Sequence, residues 1–269
     1  MTALMNVLYG ATFLLTLLAV VASLVAVARR EAMPAGRWIA NAAAIAALAG
    51  FAVRWYVAGH PAIFGTFENT YALATSLLVG AAAIGIWRPK LRGIWRWAAP
   101  WALAALLYGT RFRSDPVPLT ISEQSLWVDV HVAFAWVAFV ALLAATTSAL
   151  LRLAGRRPLG MDVATGDRFI TECLMAGFSA FTAMLATGSW YSFIIFGVFW
   201  QWSTVETLSL AAWLGYAVVI HGRLFHRWTG RSLDIGVVAV LPVLVAAYFI
   251  WSVIPDTWHF FDIPLMKPY

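Results

Sequence analysis

Charge is what this sequence has least of. Only 11% of its 269 residues are Asp, Glu, Lys or Arg, while 62% are hydrophobic, and the mean hydropathy is +0.81. A water-soluble domain carries about a quarter charged residues, so a soluble globular fold is excluded. Cysteine is almost missing as well. The single Cys173 leaves no internal disulfide, no CxxC redox pair and no CxxCH attachment motif. No Gly-rich phosphate loop, no nucleophile with a base partner and no carboxylate cluster appears, so nothing points to hydrolysis. Alternating ten-residue strand patterns are absent, which argues against a barrel. The N-terminal apolar run exceeds a signal h-region and lacks a basic leader, so a retained first helix is expected. Neither an internal repeat nor a low-complexity linker interrupts the chain, and one domain over residues 1–269 is expected.

What remains is a series of apolar runs of membrane-crossing length. Eight spans are expected, near 4–28, 38–57, 68–87, 95–109, 127–151, 169–189, 204–222 and 233–253, the fourth being short and holding Pro100. The fold class is thus all-α integral membrane, with about eight transmembrane helices. The net charge of +6 is carried in short loops, a topology signal rather than a nucleic-acid footprint. One alternating set of loops holds Arg29, Arg30, Arg37, Arg88, Lys90, Arg92, Arg96, Arg152, Arg156, Arg157, Arg168, Arg223, Arg227 and Arg231. The other holds Arg54, Arg111, Arg113 and Lys267. The positive-inside rule then puts both termini on the outer face, together with His60, His131 and His259. His221 and His226 fall on the cytoplasmic face.

One outer segment is unusual. Residues 190–202 contain Trp190, Tyr191, Phe193, Phe196, Phe199, Trp200 and Trp202, more aromatics than interfacial anchoring needs. The pattern from 190 to 203 is neither polar nor helix-like. His131 follows Trp127 by one helical turn, and His259 lies past the last span. Both are expected at the level of this segment. Neutral imidazole is the common protein ligand for haem iron, and aromatic rings supply a stacking surface for a flat macrocycle. The two histidines can therefore be axial ligands of one b-type haem, with the aromatics as its platform. The alternative for each is an interfacial histidine bonded to a backbone carbonyl. His221 ends an apolar helix, as a functional intramembrane group or as a capping or snorkelling one. His226 and His60 read as a solvated loop residue and a turn residue. Ser203 and Glu206 have capping-box spacing; Glu206 can cap the helix, hold the aromatic loop, or support a haem ligand. Arg54, Arg111 and Arg113 are candidate partners for haem propionates, with solvation as the alternative.

Several stretches resemble the CcsA/ResC branch of the tryptophan-rich, haem-handling cytochrome c biogenesis proteins. Trp200-Gln-Trp202-Ser-Thr-Val-Glu206, followed by His221-Gly-Arg223, is similar to that family's WGxxWxWDPxE segment and its H-x-R helix end. Arg54…Gly59-His60 with Glu68-Asn69-Thr-Tyr71, and Trp127…His131-Val132, are similar to two further family stretches. The resemblance covers about residues 50–260 in the expected order. It implies that His131 and His259 are the outer haem ligands, that His221 is a second haem position on the entry route, and that Trp200 and Trp202 line the platform. It also implies a ResB/CcsB-like membrane partner and apocytochrome c as client. Function would be haem export and presentation in a system II cytochrome c synthase, and haem lyase activity would belong to the assembled pair. The expected location is a bacterial inner membrane, the thylakoid being the other compartment such proteins occupy. The chain departs from the pattern at Phe196, Ser203 and Thr204, which stand where the family has Trp, Asp and Pro, and at Ala72, where it has Glu. Those departures keep open a fixed b-haem subunit, or an accessory subunit, of an electron-transfer complex.

Overall fold

The computed structural model describes residues 2–29, 34–61, 63–112, 119, 123–157 and 161–249. Among them every regular element is helical. In a hydrocarbon solvent each backbone N–H and C=O must be bonded within its own segment, and helices achieve this. The helices fall into two compact units. Seven are long and apolar enough to cross a membrane. The protein is a multi-pass helical membrane protein.

The first unit comprises α1 (Thr2–Arg29), α2 (Pro34–Ala58), α3 (Thr66–Trp87) and α4 (Trp95–Gly109), with one 3-10 turn at Pro89–Leu91. Each helix packs on its chain neighbour, and α4 returns to α1. α4 has only 15 residues, with Pro100 inside. The buried face of α2 reads Gly36, Ala40, Ala43, Ala44, Ala47, Gly50, Arg54, a helical stripe of small residues closed by one cation. Lipid-embedded helices associate through such stripes because small side chains let backbones approach. The Trp95 ring sits against Gly36, and the Tyr71 hydroxyl occupies the space beside Gly50. That hydroxyl donates to the Ala47 carbonyl at 3.2 Å and meets the Thr12 hydroxyl at 3.0 Å. It thereby ties α1, α2 and α3 together. A Cβ at Gly50 would overlap the Tyr71 oxygen, so Gly50→Ala is expected to cost about 1–3 kcal/mol, the range for overpacked cores, read as a lowered Tm in detergent. Tyr71→Phe in that background should recover part of the loss.

Arg54 stands apart from the outer-loop cation the sequence suggests. It is 1% exposed and bonds Glu68, itself 4% exposed, through both Nε (2.6 Å) and a terminal nitrogen. Met5 Sδ lies 3.5 Å from its other nitrogen. Arg54 is therefore not a solvated residue or a free propionate partner but one half of a buried ion pair between α2 and α3. Arg111 is exposed, and Arg113 lies outside the described residues.

The second unit comprises α5 (Leu126–Leu153), α6 (Val163–Phe196), α7 (Thr204–Phe225) and α8 (Arg231–Phe249). α5 packs on α6 and α8, and α7 packs on the same two. Ser125 caps α5 by accepting from Trp127 N–H. Asp162 caps α6, accepting from Thr165 N–H at 2.7 Å, which holds its carboxyl below the ordinary range. α8 runs antiparallel to α5, from an Arg152–Asp234 ion pair (3.1 Å) to a Phe139–Tyr248 ring contact (4.3 Å between centroids). Arg152 also bonds Asp167 at 2.6 Å, and Asp167 accepts from Gly230 N–H. Counted in the sequence as a loop cation, Arg152 is instead the hub of an ion-paired cluster that joins α5, α6 and α8.

The sixth helix is longer than its sequence suggests. It does not stop near residue 189 but continues through Phe196, 34 residues in all, so half of the aromatic segment is helical. At about 1.5 Å per residue it is some 51 Å long, against about 40–45 Å for a whole bilayer with headgroups. The helix is therefore tilted, or at least one of its ends extends past the interface.

Candidate functional site at one end of the second unit

The start of α5, the end of α6 and the start of α7 meet at one end of the second unit. His131 lies five residues into α5 and is half-buried. Its Nδ1 is 2.8 Å from the Met184 carbonyl on α6. A carbonyl only accepts, so Nδ1 carries the proton and Nε2 keeps its lone pair. This bond is what an interfacial structural histidine would make. It also fixes tautomer and ring orientation as a metal-binding histidine requires. Gly188 makes the ring's position possible, because a Cβ there would lie 2.7 Å from Cε1 and Nδ1.

At the same end of the unit as His131 the aromatic residues form a continuous wall. Trp127 and Trp190 meet edge to face at 6.2 Å. Trp190 continues to Phe193 (5.9 Å) and Phe199 (6.3 Å), and those two stack at 4.4 Å. Trp127 and Trp190 are each 42% exposed and Phe199 is 52% exposed. These rings cover one another only in part, and the wall retains a large open apolar face. In a soluble protein such a face marks a binding surface. Beside lipid it is also compatible with an interfacial belt, and the Nε2 lone pair of His131 is what sets this end apart.

The connection from α6 to α7 is short and heavily bonded. Gly197 closes α6 at φ 75°, a left-handed conformation open to glycine without cost. Two serines on α6 then hold the loop, Ser192 donating to the Val198 carbonyl (2.9 Å) and Ser189 to that of Phe199 (2.8 Å). Gln201 donates its side-chain amide to Ser192 Oγ at 3.2 Å. From the far side, the Glu206 carboxylate accepts from Ser203 N–H (2.8 Å) and Gln201 N–H (3.1 Å). Ser203 Oγ accepts from Glu206 N–H in return, a full capping box. Glu206 therefore caps α7 and holds the aromatic loop at once. Glu206→Ala removes an acceptor shared by two N–H groups; the expected cost is about 1–3 kcal/mol. The measurable consequence is faster proteolysis between Val198 and Ser203 with the helices intact.

Trp200 and Trp202 meet edge to face at 6.3 Å. Trp202 adopts φ 58° and is 71% exposed, a strained placement for an aromatic residue. The indole N–H of Trp200 is buried without a hydrogen-bond partner among the described residues. An unpaired buried donor is costly, and it is suited to a polar group of a ligand.

The other candidates lie elsewhere. His221 is near the end of α7, at the opposite end of the unit from His131. It is exposed and stacks on Phe225. His60 bonds its own turn, Nδ1 lying 3.0 Å from the Pro61 carbonyl. His259 lies outside the described residues. Among the described residues no three His, Cys, Asp or Glu side chains converge, so there is no closed cage of the kind that binds a structural metal ion.

The structure is that of a multi-pass helical membrane protein with one oriented imidazole and a row of aromatic rings at the same end of its second unit. Comparison with known proteins gives the particular family. The chain belongs to the cytochrome c assembly protein family, whose model matches residues 5–259. Similar proteins include three named cytochrome c biogenesis protein CcsA. That of Synechococcus sp. (strain CC9605) is 25% identical over 88% of this chain and 90% of its own length. Those of Parasynechococcus marenigrum (strain WH8102) and Prochlorococcus marinus (strain MIT 9313) are 24% and 23% identical, each over 73% of this chain and over 76% and 74% of their own lengths.

The capping box gives two of the departures from the family motif a structural meaning. Ser203 is the N-cap residue and Thr204 the first residue of α7. Asp and Ser are comparable N-caps, and proline is favoured at the first helical position without being required. Asp-Pro-x-Glu and Ser-Thr-Val-Glu thus start a helix in the same way. Phe196, in place of the first Trp of the motif, is the last residue of α6 and remains partly exposed.

Proposed function

We propose that this chain is the haem-binding and haem-exporting membrane subunit of a system II cytochrome c synthase, presenting haem b at the outer face for attachment to apocytochrome c. The observation that carries the reading is the His131 imidazole, whose Nδ1–H is anchored on Met184 and whose ring lies against Gly188, at the same end of the unit as the Trp127–Trp190 pair. His131 and His259 are the residues that would hold the haem iron through their imidazole nitrogens. The aromatic wall with Trp200 and Trp202 supports the macrocycle and excludes water from one face of it. Glu206 positions that loop rather than touching haem. His221, at the other end of the second unit, lies on the route by which haem arrives.

Orientation follows from charge. In the second unit Arg156, Arg157, Arg168, Arg223, Arg227 and Arg231 all belong to the loops and helix ends on the His221 side. That end is cytoplasmic by the positive-inside rule, and the His131 end faces outward in a bacterial inner membrane. The bound haem supplies two vinyl groups, which add to the thiols of a CxxCH motif. The chain's own contribution is to orient and retain the macrocycle. Its outer loops are short, so a ResB/CcsB-like membrane partner supplies most of the surface that recognises the apocytochrome.

The test is maturation of a reporter cytochrome c in a bacterial host that lacks its own system and expresses this chain with its partner. Covalent haem staining of the reporter, lost when His131 is replaced by alanine, is expected. Full covalent staining without this chain, or none with it while the chain itself is loaded with haem, contradicts the reading. The second outcome would identify a fixed haem subunit.

A further inference from the structure

The end of α7 carries a second arrangement of imidazoles, outside the proposed outer haem site. His221 and His226 are five residues apart, a spacing that an uninterrupted helix does not place on one face. Here the helix end brings them together. His226 is the C-cap, its N–H donating to the Gly222 carbonyl at 3.1 Å, and the Trp228 N–H donates to the same carbonyl at 3.0 Å. Arg227 between them takes φ 54°, closing the left-handed turn that ends many helices. The turn is fixed from outside as well. The Trp228 ring fills the space over Gly222, and Arg223 donates to the Trp228 carbonyl at 2.9 Å and to Thr171 at 3.0 Å.

The result is two exposed rings with centroids 5.3 Å apart and planes at 57°. Phe225 stacks on His221 at 4.7 Å, covering one face of its ring. Among the described residues no hydrogen bond is made by either imidazole, so all four ring nitrogens are available. A metal–nitrogen bond is about 2.0–2.1 Å, and the nitrogen lies about 1.2 Å from its ring centroid. A metal between two imidazoles at a tetrahedral angle therefore needs centroids about 5.2 Å apart. The observed 5.3 Å leaves room for such an ion between the two rings. A haem held between the two rings would need the imidazoles on opposite sides of the iron, with centroids about 6.4 Å apart by the same bond lengths.

We propose that His221 and His226 form a two-histidine chelate for one divalent transition-metal ion of the imidazole-preferring kind, such as zinc, cobalt or nickel. Water or hydroxide completes the coordination. Arg223 is held away by its bonds to Thr171 and Trp228, so it does not stand against the metal; Arg227, next to His226, is exposed to solvent. The inference does not rest on the haem reading, but it shares His221 with it. It adds to it only that a bound ion occupies the imidazole assigned to haem arrival.

The experiment is a cobalt(II) titration of haem-free, detergent-purified protein carrying no histidine tag, followed by visible absorption, with zinc as competitor. One cobalt per chain with a tetrahedral visible spectrum, displaced by zinc, is expected. His226→Asn and His221→Asn should each weaken binding at least about tenfold, because each removes one arm of the chelate. His131→Asn should leave it unchanged. Equal binding in wild type and both single variants, or no stoichiometric binding in wild type, overturns the proposal. His226 is exposed on a capped helix end, and the circular dichroism of its variant is the control that the fold is retained.

Discussion

Replacing His131 by alanine is expected to lower the haem content of the purified protein at least about tenfold, since even the loss of a partner behind a metal ligand costs about 10–100-fold in affinity. The expectation rests on geometry. The imidazole is held through Nδ1 by the Met184 carbonyl, which leaves Nε2 as the ligating nitrogen, and the aromatic wall at the same end of the unit stays partly open. Gly188→Ala separates a haem ligand from a merely structural histidine. The added Cβ would fall 2.7 Å from the ring's Cε1 and Nδ1, so it pushes the imidazole off Met184 without removing it. If His131 ligates, Gly188→Ala also lowers haem content and shifts the Soret band of the haem that remains. If His131 is structural, both variants lose stability and keep wild-type haem occupancy in the folded fraction. Haem absorbance per folded chain, with the pyridine haemochrome as standard, distinguishes the two.

The largest expected loss of stability comes from Arg54 and Glu68. Neither has much water to fall back on, at 1% and 4% exposure, and they bond each other through two guanidinium nitrogens. Removing one partner leaves an uncompensated buried charge, which costs about 3–5 kcal/mol. Arg54→Ala and Glu68→Ala should each lower the Tm sharply in detergent. Replacing both with apolar residues of similar volume, Arg54→Met with Glu68→Leu, should recover most of the loss, because the pair repays little more than its own desolvation. Thermal unfolding of the three variants measures the coupling. Additive losses in the double variant would show that the two residues act separately.

These two residues also show what the sequence could reveal and what it could not. Eight helices among the described residues were legible, seven of them because apolar runs of membrane length leave the backbone one economical choice. The Ser203–Glu206 capping box was legible because it is local. Arg54 and Glu68 pair across a turn between two helices, and Arg54 reads as a loop cation when assigned by position alone. The available signal was that opposite charges sit in adjacent apolar spans, where an intramembrane ion calls for a partner. Arg152 was hidden for the same reason, its partners Asp167 and Asp234 lying on two other helices.

The aromatic segment misled in a different way. Trp190 to Phe196 is rich in aromatic and β-branched residues of middling helix propensity, and it reads as an irregular loop. It extends α6 because the helix is already nucleated and elongation adds one hydrogen bond per residue. The His131 end was anticipated by pattern, yet its decisive features, the Met184 carbonyl and the space at Gly188, lie more than fifty residues away in sequence. The His221–His226 pairing escaped because five-residue spacing is not a helical face; it arises where the helix ends at the C-cap His226.

The most direct test of the central claim is a reduced-minus-oxidised visible spectrum of the purified protein, recorded before and after a challenge with apo-myoglobin. Bis-histidine b-type bands in the wild type that pass to apo-myoglobin, and their loss in His131→Ala, are the predicted result. Bands that persist through the challenge, or that survive unchanged in His131→Ala, would contradict it.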